Sequence, residues 1–412
     1  MTAGSSPLAG VRVLDLTRYL AGPFCTMLLA DYGADVVKIE SSKGREFRSP
    51  GATQDSYFFF SSNRGKRSVV LDFRSKAGRE LILRVLPHFD VLVENFRPQV
   101  MEQLGLGAPT LTERFPRLVY CGISGFGATG PYRARPGFDQ IAQGMSGFMS
   151  LTGTAESGPM RAGIAIGDLL AGIFAAHGIQ LALLARQRTG RGQVVNTSLL
   201  EALIGVLSWG AGMYFETGVA PGPAGYHHPL ASPYGRFHAR DGYVNIAAGN
   251  DTMWQTLARE LGREDWLSDA RFAHIIARLQ EREALTAEIE SVLRTNDVAY
   301  WVERLNRAGV PAGPVLNVEQ VFADPQVLAR HMLVELPHPE IGTFKTTGLP
   351  VKLSRNPGKI ARRPPLAGEH TDEVLLECGL ARPEIDRLRS DRVIGSNLEG
   401  QGAAGARRSN DR

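Results

Sequence analysis

The feature that most constrains this chain is a strand–helix–strand rhythm that repeats through its first half. Residues 11–17 (VRVLDLT) form an apolar, β-branched run suited to a buried strand. Ala21-Gly22-Pro23 turns the chain, Pro23 suits the first turn of a helix running to Tyr32, and Gly33 suits its end. A second strand follows at 35–40. The unit repeats as a strand at 68–73, a helix near 76–86 and a strand at 90–94, with another strand over 117–124. Strands joined in this way run parallel and need helices on both faces. The expectation is therefore an α/β fold whose large domain is an open, parallel, Rossmann-like sheet.

A long helix is expected from Asp168 to Gln187, closed by TGRG at 189–192, then a strand at 193–196 and a helix over 198–217. Residues 218–233 are rich in Gly, Pro and His and read as a linker. Beyond them the pattern changes. Residues 234–238, the turn at 240–242 and residues 243–247 read as a hairpin, with helices at 251–261, 275–295 and 297–308. The expected organisation is a large domain over 1–217, the linker, and a smaller inserted α+β domain over 234–320. Residues 321–395 would return to the large domain with a last helix at 368–378, and 396–412 would be a disordered tail.

With 412 residues the chain is too long for one ordinary core, and its 43% hydrophobic and 21% charged residues are those of a globular enzyme. A net charge of +4 without a basic run makes no case for nucleic acid. Cys25, Cys121 and Cys378 have no metal-type or CxxC spacing, which excludes the common thiolate metal sites and fits a reducing compartment. The polar N-terminus lacks a signal-peptide core, and no run of about 18 apolar residues is present. A cytoplasmic location with no membrane partner is expected.

Three places can carry chemistry. The first βα turn (TRYLAGP, 17–23) lacks the G-x-G-x-x-G fingerprint, which removes the nicotinamide reading in which Glu40 would hold a ribose. Glycine-rich turns at 124–131 and 136–140 can bring backbone amides close to a ligand. Finally, 161–168 (RAGIAIGD) delivers Asp168 to the position of a helix N-cap. That is either a structural cap or a carboxylate kept ionised by amides and helix dipole, with amides nearby to receive an oxyanion.

Taken together, the motifs resemble the family III CoA-transferases (the CaiB/BaiF group, which includes formyl-CoA transferases). The matching pieces are LAGVRVLDLTRYLAGP, GADVVKIE, NRGKRSVVLDF, DVLVENFRP, GISGFGATGP, PGFDQIAQGMSG, GDLLAGIFAAHGI, TGRGQVV, RDGYVNIAAGN, GVPAGPV and LAGEHTDEVL, in order from Leu8 to Leu375. The resemblance implies that Asp168 is the nucleophile, passing through an acyl-aspartyl anhydride and an aspartyl-CoA thioester. It implies CoA contacts at Leu20 and Ala21, at Leu71, Asp72, Phe73 and Arg74, at Asn95, Phe96 and Arg97, and at Gly137, Phe138 and Asp139. Lys66, Arg67, Arg74 and Arg97 are candidate phosphate cations. Arg18, Arg48 and Arg161 are candidates for a distal carboxylate.

The implied partners are an acyl-CoA, a carboxylic acid and a second copy of the chain in an interlocked homodimer. The resemblance implies no metal and no cofactor beyond the CoA of the substrate. Ser41 and Leu20 replace an arginine and a glutamine of the formyl-CoA branch. The segments PYGRFHARDGYVNIAAGN and GVPAGPV resemble succinyl-CoA:dicarboxylate members instead. The α-methylacyl-CoA racemases share the scaffold but need a His–Asp pair, and the position of their histidine is Phe138 here. A non-catalytic CoA-binding subunit is the third alternative, and it would lack the aspartate.

Overall fold

The structure, a computed structural model, describes residues 6–41, 54–339 and 341–395. The tail from Ser396, expected to be disordered, and Arg48 lie outside the described residues. Six strands make one sheet: β1 (Arg12–Asp15), β2 (Asp35–Glu40), β3 (Arg67–Val70), β4 (Val91–Glu94), β5 (Val119–Ser124) and β6 (Val194–Ser198). Their order is β3-β2-β1-β4-β5-β6, and every neighbouring pair is parallel. The order reverses between β1 and β4. Ligands of open α/β sheets bind outside the carboxyl ends of the strands at such a reversal.

The strands are apolar on both faces because both faces are covered. Val13, Val36, Val91 and Val119 lie in one cluster with α1 (Ala21–Asp31) and with alanines 171, 175, 176 and 182 of a long helix. Leu14, Val37 and Leu92 lie in the other, with α2 (Lys76–Val85) and with Val374, Leu375 and Ile385 from the C-terminal segment. After β5 come α3 (Asp139–Met145), the long helix α4 (Ile166–Thr189) and, following β6, α5 (Leu199–Gly205). The small residues of α4 let it lie close on α1: a Cβ at Gly172 would stand 2.7 Å from the Ala21 carbonyl oxygen. That approach fixes the head of α4 against the β1–α1 turn.

Several expectations need correction. The helix expected from Asp168 starts two residues earlier, at Ile166, so Asp168 is not its N-cap but lies inside its first turn; Ala165 is the N-cap. The helix expected over 198–217 is two, α5 and Trp209–Thr217, separated by Ser208 with a left-handed φ of 47°. The helix expected over 275–295 breaks at Glu281 into Ile275–Gln280 and Arg282–Leu293. Unforeseen elements are the helix Gln54–Ser62, the hairpin Leu333–His338 with Gly342–Thr347, and a final helix at Arg382–Ser390. By length and composition α4 could cross a membrane, although no such segment was expected. Its Ala/Gly face is packed on α1, while Ile173, Phe174, Leu181 and Leu184 are exposed.

The chain divides into two units. One comprises the described parts of Met1–Phe148, Ala162–Trp209 and Ala329–Arg412, and the other Met149–Arg161 and Gly210–Leu328. The second is wider than the 234–320 read from sequence and includes the 218–233 stretch. It holds an antiparallel sheet of β7 (Tyr234–His238), β8 (Tyr243–Ala247) and β9 (Ala312–Pro314), with β8 in the middle. Phe237, Val244 and Ile246 face a helical core in which Trp254 stacks on Trp266 at 5.8 Å.

Candidate active site

The carboxyl ends of β1 and β4 are tied together at the sheet reversal. Asn95, just after β4, accepts from the Arg18 amide at 2.8 Å and donates to the Arg18 carbonyl at 2.7 Å. Arg18 in turn lies 5.4 Å from the Phe96 ring centre. The turn bends through Tyr19, whose φ of 62° is left-handed, and it lines a pocket with Thr17, Arg18, Lys38, Glu40 and Ser41. The Tyr19 ring meets Phe138 edge-on at 6.0 Å. Phe138 reaches that place because two glycine turns abut: a Cβ at Gly137 would stand 2.8 Å from the Gly125 Cα. Turns distant in sequence thus converge on one mouth.

Asp168 lies one turn before Gly172 on α4, and its amide is held by Asp139, the residue after Phe138. Asp168 is half-buried, and its carboxylate accepts no hydrogen bond among the described residues. The amides around it are already in use. Asp139, buried at the head of α3, accepts from the Gly167 amide at 2.7 Å and from the Asp168 amide at 3.4 Å. Gln143 donates to the other Asp139 oxygen at 2.6 Å and accepts from the Ala162 amide at 2.9 Å. Burial, with the Asp139 charge adding to it, pushes the Asp168 carboxyl up to about 7. The expectation that amides and dipole keep Asp168 ionised is thereby reversed: Asp139 takes those amides.

The candidate cations separate into two pairs. Lys66 is fully buried, donating to Asp15 at 3.0 Å, the Pro23 carbonyl at 2.9 Å and Asn63 at 2.8 Å. Arg67 is buried and pairs with Asp35, Glu373 and Glu377. Both therefore brace the fold and have no free donor face to offer a phosphate. Arg74 and Arg97 are exposed and make no ion pair among the described residues. Leu71 and Phe73 are core side chains, and Asp72 accepts from the Arg74 amide at 3.2 Å, so Arg74 is the exposed end of that segment. Leu20 is half-buried and Ala21 buried at the head of α1. Of the distal-carboxylate candidates, Arg18 is half-buried against Phe96, while Arg161 is exposed in the second unit.

Two residues escaped the sequence reading. Gln143 follows Asp139 by four residues, one helical turn, and that spacing in PGFDQIAQ was the available signal. Glu94 ends β4, accepts the Phe96 amide at 2.8 Å and so holds the Asn95-Phe96-Arg97 loop; burial lifts its carboxyl to about 7. Its burial was not legible. All three cysteines are buried and unpaired, and no metal-ligand cluster occurs among the described residues.

A half-buried carboxylate without a hydrogen-bond donor among the described residues, on a helix packed against the β1–α1 turn of a Rossmann-ordered sheet, suits a group-transfer enzyme with a carboxylate nucleophile or base. Relationship makes the class specific: residues 8–371 match CoA-transferase family III, and the chain belongs to that family. A succinate–glutarate CoA-transferase of Agrobacterium fabrum is 37% identical over 385 residues, covering 90% of this chain and 95% of the relative. A succinyl-CoA:mesaconate CoA-transferase of Haloarcula hispanica is 38% identical over 396 residues, covering 93% and 99%. Among solved structures, a CaiB/BaiF family protein from Brucella suis superposes with a TM-score of 0.83 at 38% identity, covering 91% of this chain and all of that one. The chain is a CoA-transferase of family III.

Proposed function

We propose that the protein moves CoA from succinyl-CoA to a dicarboxylic acid through covalent intermediates on Asp168. The observation that carries the reading is the setting of Asp168: half-buried, free of hydrogen bonds to its carboxylate among the described residues, and one helical turn before Gly172, where α4 packs on Ala21. In the first step the Asp168 carboxylate attacks the thioester carbonyl, the C–S bond breaks, and an acyl-aspartyl anhydride and CoA thiolate form. The thiolate attacks the aspartyl carbonyl, releasing succinate and leaving an aspartyl-CoA thioester. The acceptor carboxylate then displaces the thiolate to form a new anhydride. Attack of the thiolate on the acceptor acyl carbon releases the new acyl-CoA and restores Asp168.

A carboxylate suits this cycle because an anhydride stays activated enough for the thiolate to return, whereas water must be kept away from both intermediates. Arg74 and Arg97, exposed beside the site segments, hold the CoA phosphates; Leu20, Ala21, Asn95 and Phe96 shape the channel along the sheet reversal. Two relatives named for succinate or succinyl-CoA support the donor, and their glutarate and mesaconate support a dicarboxylic acceptor. Phe138 has no proton to carry, which opposes racemisation. The reaction uses CoA as its carrier group and no further cofactor, in the cytoplasm.

We also propose that the chain works as a homodimer. Exposed Ile141 and Met145 on α3, Ile173, Phe174, Leu181 and Leu184 on α4 are apolar surface of the kind a second copy covers. A stable monomer at micromolar concentration in sedimentation would exclude this.

The deciding experiment incubates succinyl-CoA with a panel of mono- and dicarboxylic acids. The wild type forms a new dicarboxylyl-CoA, and Asp168→Ala loses at least about 10³-fold in rate with its thermal midpoint retained. Undiminished exchange by Asp168→Ala removes the nucleophile; deuterium wash-in at the α-carbon of a 2-methylacyl-CoA without any exchange replaces the transferase reading.

A further inference from the structure

We propose that Asp139 is the positioning residue of the reaction centre: it occupies the amides that open α4 and so leaves the Asp168 carboxylate free to meet a thioester. The inference rests on the reading of Asp168 as nucleophile. The first amides of a helix have no partner inside it and draw in whatever acceptor stands nearby. The N-cap of α4, Ala165, offers no side-chain acceptor. An aspartate in the first turn is the usual local substitute, and Asp168 is there. Yet its carboxylate does not fold back, because Asp139 has already arrived from α3 and taken the Gly167 and Asp168 amides.

The surroundings are shaped to hold Asp139 in that place. A Cβ at Gly167 would come within 3.0 Å of its Oδ1, so the approach to the amide depends on a glycine there. Gln143, fully buried, fixes the second oxygen and anchors the 162 amide, closing a ring of hydrogen bonds around the segment that leads into α4. Among ionisable groups on the helices packed against the head of α4, Asp31 of α1 lies at that helix's far end and pairs with Arg64. Glu201 of α5 is turned to Ser198 at 2.6 Å. Asp139 is the charge that acts on Asp168, and it opposes ionisation. The outcome is an unsolvated, relatively basic carboxylate, a better nucleophile than one bonded to amides.

The test measures CoA exchange against pH for the wild type, Asp139→Asn and Asp168→Ala. In the wild type the ascending limb of kcat/KM lies near pH 7. Asp139→Asn keeps an acceptor but removes the charge, so the limb moves down by about 1 pH unit. Its kcat on the plateau falls about 3-fold, because a less basic Asp168 carboxylate is a weaker nucleophile. A limb that stays in place overturns the proposal, whether or not kcat falls, since a purely structural residue would lower rate and thermal midpoint without moving it. Exchange retained by Asp168→Ala instead refutes the underlying nucleophile reading. Should Asp139→Asn fail to fold, Gln143→Leu serves: about 10-fold lower kcat at unchanged KM for acyl-CoA is expected, and unchanged kcat overturns the proposal.

Discussion

Asp15 and Asp168 are both carboxylates withdrawn from water near the carboxyl edge of the same sheet, and their surroundings drive them in opposite directions. Asp15 ends β1 with no exposure, and burial alone would raise its pKa. Lys38 and Lys66, with the hydroxyls of Thr17 and Thr26, pull it below the usual carboxylate range instead. Thr17 and Thr26 donate to it at 2.5 and 2.6 Å, and Lys66 at 3.0 Å. Asp168 has a like charge for a neighbour and no donor, so burial prevails. Desolvation acts the same way on both; the partners decide which becomes a brace and which a reactive group.

The largest effect should come from breaking the brace. Lys66→Met leaves Asp15 buried beside one more distant ammonium, Lys38 at 3.9 Å, and should cost about 3–5 kcal/mol in urea unfolding. A loss below about 1 kcal/mol would mean that Lys38 alone suffices and that the contrast with Asp168 is overdrawn. Lys66 itself is pushed down to about 8 by burial, against the attraction of Asp15.

The opposite sign is expected at Asp168. Its carboxyl titrates near 3.8 in the unfolded chain and near 7 in the folded one. Below about pH 4 both states hold the proton and the site contributes nothing. Between about 4 and 7 only the unfolded state ionises, so stability falls as pH rises and stays reduced above 7. Asp168→Asn should therefore be more stable than wild type at pH 8, by about 1–2 kcal/mol once partial exposure is allowed for, and no different at pH 4. Equal stability at both pH values would place Asp168 in a wetter setting than its burial indicates.

The smallest effects belong to the surface cations. Arg74→Ala and Arg97→Ala should each raise KM for acyl-CoA about 5-fold, near 1 kcal/mol, with folding unchanged. Arg67→Ala should do the reverse, lowering the thermal midpoint and leaving KM in place, because its guanidinium is committed to Asp35, Glu373 and Glu377. An unchanged KM in both surface variants would remove them from phosphate binding.

The sequence by itself determined the α/β class and the parallel sheet. Both are written in local signals: β-branched runs with turn residues and helical spacing between them. Even β7 and β8 were legible to the residue, since a hairpin's pattern and its turn lie side by side in the chain. The breaks at Ser208 and Glu281 were not, because helical spacing continues across them and only packing interrupts it. The tertiary structure alone decided which charges are buried. Lys66 and Arg67 look like Arg74 and Arg97 in a sequence, and only the arrival of Asp15, Asp35, Glu373 and Glu377 from distant segments separates brace from binding group. It alone placed Asp139 on the amides of α4, 28 residues from its partner Gly167. A carboxylate's ionisation is set by solvent and charge within a few ångströms, and those neighbours are fixed by folding.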